Sequence, residues 1–128
     1  MSRGFVLDTG ALIALEKRSG QQRLTGILNG IGRDGRLVIS AGSIAEAWRG
    51  SPRQVPLALL LRRPGTEVSE ITTPTAKAIG TFLGYLPDGD DIVDAHVVML
   101  ARHHRMGVIT SDPGDLRALD PGLPVLRI

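Results

Sequence analysis

Short apolar runs alternate with helical stripes along the whole of this chain. Phe5-Val6-Leu7 is a run of strand length that ends at Asp8. Ala11 to Lys17 reads as a helix closed by Ser19-Gly20. Leu24, Ile27, Leu28 and Ile31 recur at i, i+3, i+4 and i+7, the stripe of an amphipathic helix. Asp34-Gly35 turns the chain into a second strand, Leu37-Val38-Ile39. A helix is expected from Ala41 or Ser43 through Trp48, ended by Gly50 and Pro52. Pro56 opens a short segment, Leu57 to Arg62, stopped by Pro64-Gly65.

The second half repeats the pattern. Glu67 to Ile71 alternates charged and apolar residues, as a third strand would. Thr73-Pro74 is a helix start, with Thr as cap and Pro in the first turn. Ile79, Phe82, Leu83 and Leu86 mark the buried face, and Pro87-Asp88-Gly89 breaks the helix. Asp90 or Asp91 caps a long helix running to about Arg105. Gly107-Val108-Ile109 is a fourth strand, Asp112 to Leu119 a short helix, Pro121-Gly122 a turn, and Val125-Leu126-Arg127 an edge strand. The reading is α/β, a mostly parallel sheet covered by helices on both faces. The length of 128 residues suits one domain, 1–128.

Composition narrows the chemistry. There is no cysteine, so disulfides, thiolate metal sites and cysteine nucleophiles are excluded. Met1-Ser2-Arg3-Gly4 runs straight into a strand without a signal peptide, and no apolar stretch is long enough to span a bilayer. A cytoplasmic protein without membrane contact is expected. Of 15 basic residues, 13 are Arg. If four carboxylates gather round a metal, 15 basic residues face nine remaining acidic ones, a surface suited to phosphate. A GC-rich genome would explain the same bias. The four aromatics, Phe5, Trp48, Phe82 and Tyr85, are too few for a base-stacking platform.

The candidate chemistry lies in acids at strand ends and helix starts. Asp8 and Asp112 follow apolar strands, and Glu46 and Asp94 fall early in helices that begin at the same sheet edge. In parallel sheets that edge is where ligands bind. Each acid also has a duller explanation. Asp8 and Asp112 suit helix starts, Ser43-x-x-Glu46 matches a capping box, and Asp91-x-x-Asp94 reads as a cap with a first-turn acid. Together they predict a carboxylate cluster that a divalent cation must neutralise. An all-oxygen set favours Mg2+, with Mn2+ able to substitute, and suits hydrolysis of a phosphodiester. Asp115 is a possible further ligand, and Asp91 is read as a helix-start residue before a ligand. The hydroxyls of Thr9, Thr110 and Ser111 flank the acids and could orient water or phosphate. Arg49, Arg62 and Arg63 are candidates for phosphate contact. His96, His103 and His104 are assigned ordinary helix roles.

These marks carry a family resemblance. Val6-Leu7-Asp8-Thr9, Glu46, Asp91-Ile92-Val93-Asp94-Ala95 and Val108-Ile109-Thr110-Ser111-Asp112 stand in the order and spacing of PIN-domain ribonucleases. The chain most resembles VapC-type toxins of type II toxin–antitoxin pairs, from Phe5 to Ile128. It departs from them at Gly10, where similar proteins often carry a small polar residue. The resemblance implies a three-layer PIN-like sandwich and a metal held by Asp8, Glu46, Asp94 and Asp112. It also implies endonucleolytic cleavage of transfer or ribosomal RNA, a homodimer, and a cognate antitoxin whose tail enters the acidic cleft. RNA over DNA rests on the resemblance alone, because metal chemistry does not choose the sugar. The apolar segment Pro56 to Arg63 reads either as core or as a partner surface.

Three other readings compete. A noncatalytic RNA- or protein-binding module of the same fold would bind RNA regardless of chelator, and a PIN-type nuclease could act outside any toxin–antitoxin pair. A phosphoacceptor receiver domain needs adjacent acids after the first strand and a late lysine. Here Thr9 follows Asp8, and no lysine lies beyond Lys77.

Overall fold

The computed structural model describes residues 4–128. Residues 1–3, read above as leading directly into the first strand, lie outside the described residues. Thirteen elements follow in order. They are β1 (Gly4–Leu7), α1 (Thr9–Ala14), α2 (Arg18–Ile31), β2 (Arg36–Ser40), α3 (Ala41–Ala47), a 3-10 turn (Pro52–Gln54), α4 (Val55–Arg62), β3 (Thr66–Ser69), α5 (Thr73–Gly84), α6 (Ile92–His104), β4 (Gly107–Thr110), α7 (Gly114–Leu119) and β5 (Val125–Arg127). The sheet has the order β3-β2-β1-β4-β5, and every pairing is parallel.

The side-chain alternation of the three central strands builds the layers. Val6 sits level with Val38 and Val108, so three valines lie side by side on one face. They pack under Val97, Val98, Leu100 and Ala101 of α6, with Leu116 of α7. Leu7 sits level with Ile39 and Ile109 on the opposite face. Those residues and Leu37 pack against Ala11 and Leu12 of α1, Leu24 of α2, Ala47 of α3, and Leu57 and Leu60 of α4. Period-two alternation thus feeds two apolar layers from one sheet. The smaller β-branched residues meet the tightly buried α6, and the longer ones fill the side covered by α1, α2, α3 and α4.

The boundaries expected from sequence shift where tertiary contacts decide. The first helix stops at Ala14, and Ser19-Gly20 lies inside α2 instead of closing α1. Lys17 is extended and reverses the chain, and a Cβ on Gly20 would stand 2.0 Å from the carbonyl oxygen of Ala14. Gly20 is therefore a contact point between the two helices, not a helix terminator. The third strand is Thr66–Ser69, not Glu67 to Ile71, because its partner β2 ends at Ser40, level with Ser69. The cap of α5 is Thr72, not Thr73, with Thr72 Oγ1 accepting from the Thr75 amide at 3.3 Å. The last short helix begins at Gly114, after a turn in which Asp112 accepts from the Gly114 amide.

Two substitutions in α2 test the Gly20 contact. Gly20→Ala should destabilise the fold by about 1–3 kcal/mol, because the methyl collides with backbone. Gly26→Ala, where nothing lies within 4 Å of an added Cβ, should stabilise it by about 0.5–1 kcal/mol. Chemical denaturation of the two variants beside the parent measures both signs. Equal shifts in one direction would show that the α1–α2 contact is not tight.

Candidate functional site

The chain leaves β1 toward one side of the sheet and returns at β4 beside it, so a crevice opens beyond the carboxyl ends of these two neighbours. Asp8 follows β1, and Ser111-Asp112 follow β4. Asp8 is only 8% exposed. One carboxylate oxygen accepts from the Ala11 amide at 2.9 Å, capping α1, and the other accepts from the Thr110 hydroxyl at 2.5 Å. The capping explanation of Asp8 is therefore correct, and it accounts for half of the carboxylate. Burial pushes its proton affinity above the ordinary carboxylate range, the two hydrogen bonds oppose the shift, and the Asp112 charge adds to it.

Thr110 is fully buried, and its hydroxyl also accepts from the Asp112 amide at 3.1 Å. Within the protein this hydroxyl ties the two strand-end acids together. Thr9 is committed similarly, donating to Glu46 Oε1 at 2.7 Å. That contact draws Glu46 of α3 toward the start of α1. The capping-box explanation of Glu46 fails. Ser40 caps α3 through the Gly42 amide, and Ser43 lies buried inside the helix with its hydroxyl unpartnered. Ser111 is half-buried, and its hydroxyl lies where a Cβ on Gly10 would come within 2.3 Å. A side chain at Gly10 would have to displace it.

Asp94 stands in the first turn of α6, half-buried, and Asp91 caps that helix by accepting from the Asp94 amide at 2.8 Å. Burial pushes the Asp94 carboxyl up to about 6, aided by the charges of Asp91, Asp115, Asp8 and Glu46. Those four acids therefore share its neighbourhood. Asp88, Asp90, Asp91, Asp94 and Asp115 also line one small groove of roughly 240 Å3. The acids converge within electrostatic reach but form no ready-made coordination shell. Among the described residues, no three acidic or histidine side chains stand close enough to hold one ion. The expected carboxylate cluster is therefore looser than a set of ligands round one ion.

Among the described residues the ion pairs are Arg36–Glu67 and Arg102–Asp120, and neither involves the convergent acids. All the donors are hard oxygens, and Glu46 and Asp112 are exposed enough to change rotamer. Such a set fits Mg2+ or Mn2+.

Of the three arginines singled out from sequence, two lie away from the acids. Arg62 and Arg63 precede β3, at the opposite end of the sheet from the acids. Arg63 is tied to the carbonyls of Gly35 and Pro64. Arg49 folds back onto the Trp48 carbonyl at 2.7 Å. His96 is buried and meets the Ser40 hydroxyl at 2.6 Å, joining α6 to the cap of α3. Burial lowers its proton affinity. Sequence reading missed that link, since only the fold brings Ser40 opposite a helix far along the chain.

A comparison with curated proteins finds no match. Solved structures do match. VapC20 of Mycobacterium tuberculosis, a sarcin–ricin loop cleaving toxin, is 18% identical with a TM-score of 0.72, covering 97% of this chain and 99% of that one. FitAB bound to a DNA fragment is 20% identical with a TM-score of 0.63, covering 96% of this chain and 94% of that one. FitAcB of Neisseria gonorrhoeae is 18% identical with a TM-score of 0.58, covering 96% of each chain. At these identities the likeness establishes a common fold. The PIN domain family model matches residues 5–120. With nearly the whole chain inside that match, and with the all-parallel sheet and acid-bearing crevice described above, this protein belongs to the PIN domain family.

Proposed function

We infer that the protein is a metal-dependent endoribonuclease with Asp8, Glu46, Asp94 and Asp112 as its metal-binding and catalytic acids. The observation that carries this reading is Asp94. It is a half-buried carboxyl without an ion-pair partner among the described residues, pushed up to about 6 by burial and by four neighbouring acids. Such a group is poorly placed until a cation arrives. Bound there, Mg2+ or Mn2+ would supply neutralising charge and polarise a phosphodiester toward attack by water.

The chain's own residues prepare the site. Thr110 and the Ala11 amide hold both oxygens of Asp8 and favour its charged form despite burial. Thr9 orients Glu46 toward Asp8. Asp91 spends one carboxylate oxygen on the α6 cap, which makes it a weaker ligand candidate than Asp94. Asp115 remains a candidate for a second cation or a water contact.

RNA as substrate, and the role of toxin in a toxin–antitoxin pair, are favoured by the resemblance to VapC-type proteins and the shared fold with VapC20, itself described as cleaving the sarcin–ricin loop. On this reading the target is transfer or ribosomal RNA, and a cognate antitoxin silences the cleft. A cytoplasmic location accords with it, and no described helix is long and apolar enough to cross a membrane. A homodimer accords with the exposed side of α4, where Val55 and Leu59 are 56% and 63% accessible while Leu57 and Leu60 enter the core. A noncatalytic binding module is the second reading, favoured by the spacing of the acids, which falls short of a closed shell.

Asp94→Asn and Asp8→Asn should each lower RNA cleavage by more than about 100-fold, beyond the 10–100-fold typical of losing an outer partner of a metal site. Gel assays with Mg2+ or Mn2+ and with chelator measure this, and circular dichroism checks that the fold persists. Cleavage that survives both chelator and substitution would overturn the nuclease reading. Single-stranded DNA in parallel assays tests the choice of sugar.

Stability should depend on pH and cation together. The Asp94 carboxyl has a folded-state value of about 6 against 3.8 without the fold, so the native state binds this proton more tightly than the unfolded chain. Its contribution favours the metal-free fold below pH 4 and is lost as pH rises through 6. Added Mg2+ or Mn2+ should therefore raise Tm at pH 7.5, and the increment should shrink between pH 6 and pH 4. Thermal scans at several pH values measure it, and a pH-independent increment would place the cation elsewhere.

A further inference from the structure

The strongest unassigned feature is a cleft of about 500 Å3 that opens directly from the acidic site. Gly10 and Ser111, which adjoin Asp8 and Asp112, form its inner end. From there it follows α1 past Ile13 to the opening of α2 and the 3-10 turn. Lys17, Arg23 and Arg53 line it against one acidic side chain, Glu16, and the last residue, Ile128, stands among them. Among the described residues these three cations make no ion pair and no side-chain hydrogen bond. All three are exposed, and they come from different elements.

A single surface arginine is usually just solvated. Three cations without ion-pair partners facing one concavity with a single acidic side chain are different, because they outnumber it and leave a positive lining that favours a polyanion. Gly10 stands beside the Asp8 carboxylate and Ser111 precedes Asp112, so a polyanion lying in the cleft could reach the acids with one phosphate and the cations with the next. Ile13, 45% exposed, offers an apolar patch on the same wall for a base or ribose.

We propose that this cleft is the track for the single-stranded RNA flanking the cleaved bond, with Lys17, Arg23 and Arg53 binding its backbone phosphates. The proposal rests on the ribonuclease reading for its choice of RNA. Phosphate contacts of this kind position the strand and carry no base specificity. Arg49, Arg62 and Arg63 are not part of the track, since they lie outside this cleft.

The test is binding of a fluorescently labelled single-stranded RNA oligonucleotide, read by anisotropy in chelator across a range of salt. The combined variant Lys17→Gln, Arg23→Gln, Arg53→Gln should bind about tenfold more weakly at near-physiological salt. Its slope of log affinity against log salt should be shallower by about 2, near 0.7 for each lost contact. Arg33→Gln, at the other end of the sheet before β2, should bind like the parent. Parental affinity and slope in the combined variant would overturn the proposal. So would a loss in Arg33→Gln equal to that of the combined variant. So would unchanged RNA binding with lost binding of an acidic protein, which would assign the cleft to that partner. The nuclease reading is separated from the track by adding Mg2+. A parent protein that binds through the cleft but does not cut defeats the first, and a combined variant that binds and cuts like the parent defeats the second.

Discussion

Carboxylates brought together without a counter-charge impose the main constraint on this molecule. The fold places Asp8 and Asp112 at the ends of adjacent strands and adds Glu46 and Asp94 from two helices. No arginine or lysine forms an ion pair with them among the described residues. Repulsion of this kind is stored by the scaffold, because the β1–β4 pairing and the burial of α6 fix where the acids sit. The core layers are the counterweight: Val6, Val38 and Val108 on one face and Leu7, Ile39 and Ile109 on the other hold the strand ends in register.

Hydrogen bonding reduces this electrostatic cost selectively. The most buried acid, Asp8, has both oxygens satisfied, by an amide and by the Thr110 hydroxyl. Among the described residues Asp94 accepts no hydrogen bond on its carboxylate, and burial with four neighbouring acids pushes it up to about 6. The difference divides the roles. Asp8 is held by both of its bonds, whereas Asp94 carries the less compensated carboxylate. Thr110, by bonding Asp8 and the Asp112 amide together, couples the two strand ends more directly than either strand alone.

The charge distribution gives the crevice a direction. One wall is acidic, around Asp91, Asp94 and Asp115, and the cleft that leaves past Gly10 and Ser111 carries Lys17, Arg23 and Arg53. A net charge of +2 conceals this separation, because charges of both signs cancel in the sum but not in space.

Local pattern was enough for the strands, the order of the elements and the parallel α/β class, because alternation and helical stripes depend only on near neighbours in the chain. The four strand-end and helix acids were legible for the same reason: each follows an apolar run or opens a helix. The end of α1, the length of β3 and the cap of α5 were decided elsewhere, by the close approach of Gly20 to Ala14, the end of β2 at Ser40 and the choice of Thr72 over Thr73. So were the Thr110–Asp8 and Thr9–Glu46 bonds, the burial of His96 against Ser40, and the separation of Arg62 and Arg63 from the acids. These join residues up to 102 positions apart in the chain. No local periodicity encodes such partners, since a side chain's direction becomes meaningful only once the sheet has fixed its neighbours.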